Sequence, residues 1–240
     1  MRINFRRMAS RVLPLIVVGL AEHAGMAQEV KSPSVKLKPG LPIFQVDPSW
    51  PRLPEKLKLG MVTGIAVDAQ DHVWVLHRPA TVEDRENSAP PVVEFDAKGK
   101  YVRGWGGPGE GYDWPDENEH GIFVDYQSNV WIGAGGGPDR TVNQILKFIK
   151  AGKFLLQIGH RGKSKGSNDV ENLNNAADVY VYPKTNEIFV ADGYVNRRVI
   201  VFDATTGAFK RYWGAYGNTP DDAGEIRRHD WQMNRELTLG

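Results

Sequence analysis

Cysteine is absent from the 240 residues, which excludes disulfides, thiolate metal clusters and a cysteine nucleophile. Net charge is nearly absent too, with 30 Lys and Arg against 29 Asp and Glu for a formal +1. A nucleic-acid binder normally carries a large basic excess, so that class is set aside. Long hydrophobic runs are missing. The apolar stretch Val12–Ala21 is about half the ~20 residues that cross a bilayer, so no membrane span is expected. Beyond it no segment sustains a 3.6-residue period, which removes a long helix. Turn formers and aromatics are plentiful instead. The 26 Gly and 15 Pro indicate many tight turns and short elements. The seven Trp, eight Tyr and nine Phe are too many for a disordered chain. A 41% hydrophobic share supplies one sizeable core or two small ones.

The first residues read as an address. Arg2, Arg6, Arg7 and Arg11 precede the Val12–Ala21 run, and Gly25, Met26 and Ala27 follow it. A charged region, a short apolar region and a small-residue cleavage context predict a secretory signal peptide over 1–27. Its removal takes the net charge from +1 to −2. Export without disulfides suits a bacterial periplasm, so the expected location is periplasmic or secreted.

Self-similarity decides the fold class. Gly64-Ile65-Ala66-Val67-Asp68 precedes Val73-Trp74-Val75. Fifty-seven residues on, Gly121-Ile122-Phe123-Val124-Asp125 precedes Val130-Trp131-Ile132. After the same interval Asp178-Val179-Tyr180-Val181-Tyr182 precedes Ile188-Phe189-Val190. A second feature keeps step. Val93-Glu94-Phe95 runs through a Gly99 turn to Trp105-Gly106. Leu146-Lys147-Phe148 runs through Gly152 to Ile158-Gly159. Val201-Phe202-Asp203 runs through Gly207 to Trp213-Gly214. Each unit therefore predicts four short strands joined by hairpins. Four antiparallel strands per unit is the pattern of a β-propeller blade. The first strand is expected nearest the axis and the fourth, with its Lys and Arg, at the solvated edge. Trp74 and Trp131 are expected to pack between blades. The expected organisation is a signal peptide over 1–27, an N-terminal extension with an edge strand over 28–60, and propeller blades over 61–222. The blades fall at about 61–110, 118–165 and 175–217, and a divergent tail covers 223–240.

Antiparallel pairing places the start of a first strand and the end of a second at one rim. Arg78, His120 and Tyr194 are all expected there. The repeats supply a control. His120 aligns with Thr63 and Ala177, and Arg78 with Gly135 and Gly193, so the blade itself requires neither residue. The rim is therefore the expected site for a small-molecule or peptide ligand.

The Gly-hydrophobic-x-Val-Asp, Val-Trp-Val and Val-x-x-Phe-Asp patterns resemble NHL repeats, which build six-bladed propellers. Three motifs resemble a narrower group, the peptidyl-α-hydroxyglycine amidating lyases and their bacterial relatives. They are Gly64 through His77-Arg78, Glu119-His120-Gly121-Ile122, and Ala191-Asp192-Gly193-Tyr194-Val195-Asn196-Arg197-Arg198. The resemblance covers about residues 42–222. It implies an all-β fold with about three four-stranded blades present of an expected six. It implies a zinc-dependent cleavage to a peptide amide and glyoxylate. His120 matches a zinc ligand, Arg78 a catalytic arginine and Tyr194 the tyrosine base. The backbone carbonyls of Ile65 and Ile122 match ligands of a structural calcium.

The sequence also departs from that pattern. The family's other zinc histidines and second arginine fall in blades after the Tyr194 unit, and no residues here match them. The expectation is a lyase-like propeller inactive in this form, with a non-catalytic binding propeller as the alternative. With about half the blades absent, blade edges are expected to stay open and to invite self-association. His160 and His229 are read as solvated. Gly133–Gly137 lacks the ending and the helix of a phosphate loop and reads as an interstrand loop. Gly162–Gly166 reads as a basic surface loop. The acidic Asp113–Glu119 stretch reads as a solvated interblade loop.

Overall fold

In the computed structural model the described residues are 44–136 and 139–223. The chain divides into Met1–Gln45 and Val46–Gly240; the account below concerns the second unit. The expected signal peptide, the tail from 224 onward and His229 lie outside the described residues.

Among the described residues, twelve strands form three four-stranded antiparallel sheets, ordered as they occur in the chain. Blade one holds β1 (Met61–Val67), β2 (Val73–Arg78), β3 (Val92–Phe95) and β4 (Tyr101–Trp105). Blade two holds β5 (Glu119–Val124), β6 (Asn129–Ala134), β7 (Ile145–Ile149) and β8 (Phe154–Ile158). Blade three holds β9 (Asp178–Tyr182), β10 (Glu187–Asp192), β11 (Arg198–Asp203) and β12 (Phe209–Trp213). The innermost strands β1, β5 and β9 are neighbours in that order. This is a β-propeller arrangement, as the repeat spacing predicts. No α-helix occurs among the described residues, and none of their helices is long and apolar enough to cross a membrane.

The repeat is visible in the chemistry of its turns. After β1 the Asp68 carboxylate accepts the N–H of Gln70 at 2.9 Å and of His72 at 3.0 Å. Its other oxygen accepts the Trp74 indole N–H at 3.1 Å. Asp125 does the same for Gln127, Asn129 and Trp131, the indole bond being 2.9 Å. One carboxylate thus closes the hairpin and anchors the next strand's tryptophan. Burial raises the Asp68 pKa, but the Lys150 ammonium at 2.7 Å, the Trp74 indole and the two N–H groups outweigh it and hold it down at about 2. Blade three has Tyr182 and Ile188 at these two places and lacks the clamp. The outer hairpins repeat as well. Gly99, Gly152 and Gly207 all sit at positive φ, 78°, 84° and 73°, where a side chain would be strained.

Trp74 and Trp131 are fully buried and pack toward the following blade, as expected. Trp74 joins Leu76, Ile122 and Phe148 between blades one and two. Trp131 joins Ile145, Val179 and Val190 between blades two and three.

Three features were not read from the sequence. First, the central strands, not the innermost ones, are the most buried. Ile65 and Val67 on β1 are 62% and 59% exposed, whereas Trp74 and Leu76 on β2 are at 0%. A central strand has sheet on both edges and a blade on its face, while β1 has no described strand on its axial side. Second, no strand forms over the described residues 44–60. Pro48, Pro51 and Pro54 remove the N–H groups that a ladder needs. Only two isolated bridges form, Arg52 to Lys100 and Lys58 to Ser88. Leu53, Leu57 and Leu59 instead cover the outer face of blade one over Val75, Val93 and Phe95. The chain's own segment thus covers this face. Third, the 113–119 stretch is only partly solvated: Asp113, Asp116 and Glu117 are exposed, but Trp114, Asn118 and Glu119 are buried, at 3% exposure or less.

That same covering segment fixes a buried imidazole. His77 Nδ1 accepts the Gly60 N–H at 3.1 Å, and Nε2 lies 2.9 Å from the Pro90 carbonyl, to which it donates. The ring is neutral in this arrangement, and burial pushes its pKa below the ordinary 6.5. The folded state therefore binds fewer protons than the unfolded state just below that pH. His77's contribution is complete above about pH 6.5 and is lost as the pH falls from there through the depressed folded value. Melting temperatures between pH 7.5 and 5.5 should fall more steeply for the native chain than for His77→Gln. Parallel profiles would remove His77 as the cause.

Candidate functional site

Pairing of Met61 with Arg78, Glu119 with Ala134 and Asp178 with Ala191 brings the starts of the first strands and the ends of the second strands to one rim. Arg78, His120 and Tyr194 all sit there. The His120 Nε2 is 2.9 Å from the Tyr194 hydroxyl, and the two rings meet edge-to-face at 5.2 Å. Arg78 donates from Nε to the Glu119 carbonyl at 3.2 Å and from Nη2 to the Gly135 carbonyl at 3.3 Å. Its guanidinium is thereby held on the two backbone carbonyls that precede His120 and Gly136.

A β-bulge aims the histidine. The three steps from Glu119 to Ile122 lie opposite two steps from Ala134 to Ile132, so β5 carries an extra residue there. Along a regular strand His120 would share a face with Ile122 and Val124, which pack toward blade one. The bulge reverses that alternation, so His120 points toward blade three and meets Tyr194. Gly136 makes room for the ring. A Cβ there would lie 2.7 Å from His120 Cδ2, and its φ is +62°. The glycine run read only as a loop therefore has a local purpose at this position.

Tyr194 lies on the loop from β10 to β11, and buried ionic groups hold that loop. The Asp192 carboxylate accepts from Asn174 N at 2.9 Å, Asn196 Nδ2 at 2.7 Å and Arg198 Nε at 2.8 Å. Arg198 also donates to the carbonyls of Ser167, Asp169 and Asn172. Both partners of the ion pair have fully buried side chains. The Asp-Gly-Tyr-x-Asn-x-Arg motif is thus a scaffold that fixes its own tyrosine, half-exposed at 51%, at the rim.

Glu119 sits on the opposite face of β5, in the strand and not in a loop. Trp114 Nε1 donates to its Oε1 at 3.0 Å. Burial raises its pKa, opposed by the Trp114 bond and aided by Asp116.

The residues matched to metals are placed as follows. His120 Nδ1 is buried with no partner among the described residues, and Nε2 is engaged by Tyr194. His120 is the one imidazole that the described rim cluster brings together. A catalytic zinc takes about three protein ligands and an open position, so the described donor set does not fit it. Ile65 and Ile122 line a hollow of about 350 Å³ between the innermost strands, with Asp178 on its wall. Calcium takes about six to eight oxygens, and Asp178 is the one carboxylate there, already accepting from Val179 N. This set does not complete a calcium site either. A separate cluster, Asp68, His72 and Glu94, has ligand atoms within 4.8 Å of one another. Lys150 and Arg103 already pair with its two carboxylates at 2.7 Å, so it is a charge network. His160 is exposed, as expected, and bonds to Gln157.

No protein-family model matches the chain. It is 32% identical over 190 residues to the peptidyl-glycine alpha-amidating monooxygenase A of Xenopus laevis, covering 71% of this chain and 18% of that protein. It is 32% identical over 173 residues to the peptidyl-alpha-hydroxyglycine alpha-amidating lyase 2 of Drosophila melanogaster, covering 65% and 39%. The virginiamycin B lyase of Staphylococcus aureus is similar in structure at 15% identity and a TM-score of 0.41, covering 67% of this chain and 43% of that one. The chain thus spans less than half the length of these relatives. Over about seven-tenths of its own length, it is a lyase-like β-propeller homologous to the peptidyl-α-hydroxyglycine amidating lyases and the peptidylglycine α-amidating monooxygenases.

Proposed function

We propose that this chain is an exported propeller carrying one corner of an amidating-lyase-type site. The observation that supports this reading is the hydrogen-bonded His120–Tyr194 pair beside Arg78, on residues that match the lyase motifs. The guanidinium suits a carboxylate such as that of an α-hydroxyglycine peptide. The phenol and imidazole together can hold or move one proton beside it. Arg78 accepts no proton, and the described residues supply no ligand set for a metal that would activate the phenol. The 240-residue chain therefore binds its ligand at this rim and does not turn it over.

Zinc content after dialysis, glyoxylate release from an α-hydroxyglycine peptide, and binding of that peptide test the reading together. Expected are zinc far below one per chain, no glyoxylate, and saturable binding that weakens at least about tenfold in Arg78→Ala. Absence of binding would sink the rim as a ligand site. Stoichiometric zinc with turnover lost in His120→Ala would overturn the inactivity.

A further inference from the structure

Blade three carries on its outward face the counterpart of a residue that blades one and two bury. Trp74 pairs with Ala66 on β1, and Trp131 with Phe123 on β5. Both indoles are fully buried under the following blade. The turn from β9 to β10 is one residue longer than that from β5 to β6, so Phe189, one position beyond Ile188, pairs with Tyr180 and takes the same place in the sheet. Phe189 is only partly buried. It meets Trp213 edge-on at 6.3 Å, and the Arg211 guanidinium lies over its ring at 5.5 Å. Strand alternation puts Ala191 and Val199 on this face as well, the first exposed and the second partly so. No fourth sheet among the described residues lies against it. Two bases and two acids, Arg211 and Lys210 with Glu187 and Asp203, stand beside the apolar centre.

We propose that this face of blade three docks on the same face of a second copy of the chain, forming a closed two-fold dimer. Its centre holds the aromatic and arginine side chains that interfaces concentrate. Its charges are balanced, which an identical face answers and a strongly acidic or basic partner does not. Blade one decides the symmetry. Leu53, Leu57 and Leu59 already cover its outward face, so the blade three of another copy cannot stack there. Head-to-tail growth is blocked, and association ends at two. The surface follows from strand register and does not depend on the lyase-like reading.

Sedimentation velocity of the full chain over about a hundredfold range of concentration tests this, because a dimer forms by mass action. Monomer and dimer in concentration-dependent proportion are expected, with nothing larger. Ala191→Arg adds a bulky cation at an exposed position on the face. Arg211→Glu sets a carboxylate beside Glu187 and takes the guanidinium off Phe189. Each should weaken dimerisation at least about tenfold, with circular dichroism confirming the fold. A monomer throughout the range overturns the proposal, whatever then covers the face. A dimer that either folded variant leaves unchanged overturns it too, as does growth beyond two copies. The hydroxyglycine-peptide titration through Arg78 is a separate readout, so either proposal can fail alone.

Discussion

Trp131→Ala should lower the unfolding free energy by about 3–5 kcal/mol, the usual range for deleting a large buried aromatic. The indole is fully buried at the junction of blades two and three, so its loss opens a cavity that neither blade can close alone. Three further terms push the same way. The Asp125 carboxylate loses the 2.9 Å indole bond and keeps only the turn's donors. The Lys147 ammonium, which sits 4.9 Å over the ring, loses that face. Loosened blade packing also weakens the hairpin that Asp125 closes. Urea unfolding followed by tryptophan fluorescence and circular dichroism measures the change. A cost below about 1 kcal/mol would mean that the blades do not pack through this residue.

Arg198→Ala should be as damaging for a different reason. Removing one partner of a fully buried ion pair typically costs about 3–5 kcal/mol, because the other charge stays buried and unpaired. Here Asp192 would keep Asn174 N and Asn196 Nδ2, while the carbonyls of Ser167, Asp169 and Asn172 would lose their donors together. Those carbonyls belong to the loop entering blade three, so the Tyr194 loop and that loop should loosen as one. Urea midpoints of Arg198→Ala, Asp192→Asn and the double variant form a cycle that isolates the pair. Additive single costs would show that the two residues do not act as a unit. The same substitution should weaken α-hydroxyglycine peptide binding, since it frees the tyrosine that pairs with His120 at the rim.

The candidate site was only half legible in the sequence. Arg78 and His120 stood out because each breaks its own repeat and Tyr194 because it lies in a motif that resembles the lyases, and antiparallel pairing placed all three at one rim. The contact between His120 and Tyr194 could not be read. It depends on a bulge, which adds one residue without leaving a mark in a hydrophobic pattern. Glu119 was read as a loop carboxylate because the acidic run around it looks solvated. Trp114 folds back over it and shields it from water, a contact no spacing rule reports. The Asp192–Arg198 pair lay inside a quoted motif, yet its burial follows from how the loop before blade three drapes over it.

What the sequence determined by itself is the blade: four short strands, turn glycines at positive φ, and the Asp–Trp clamp, all set by contacts between residues near in the chain. The tertiary structure alone decided which faces are covered and which groups meet. Leu53, Leu57 and Leu59 close the outer face of blade one although proline keeps that segment out of the sheet. His120 reaches Tyr194 across 74 residues. Such meetings depend on how blades stack and where loops return, and local propensity carries no information about either.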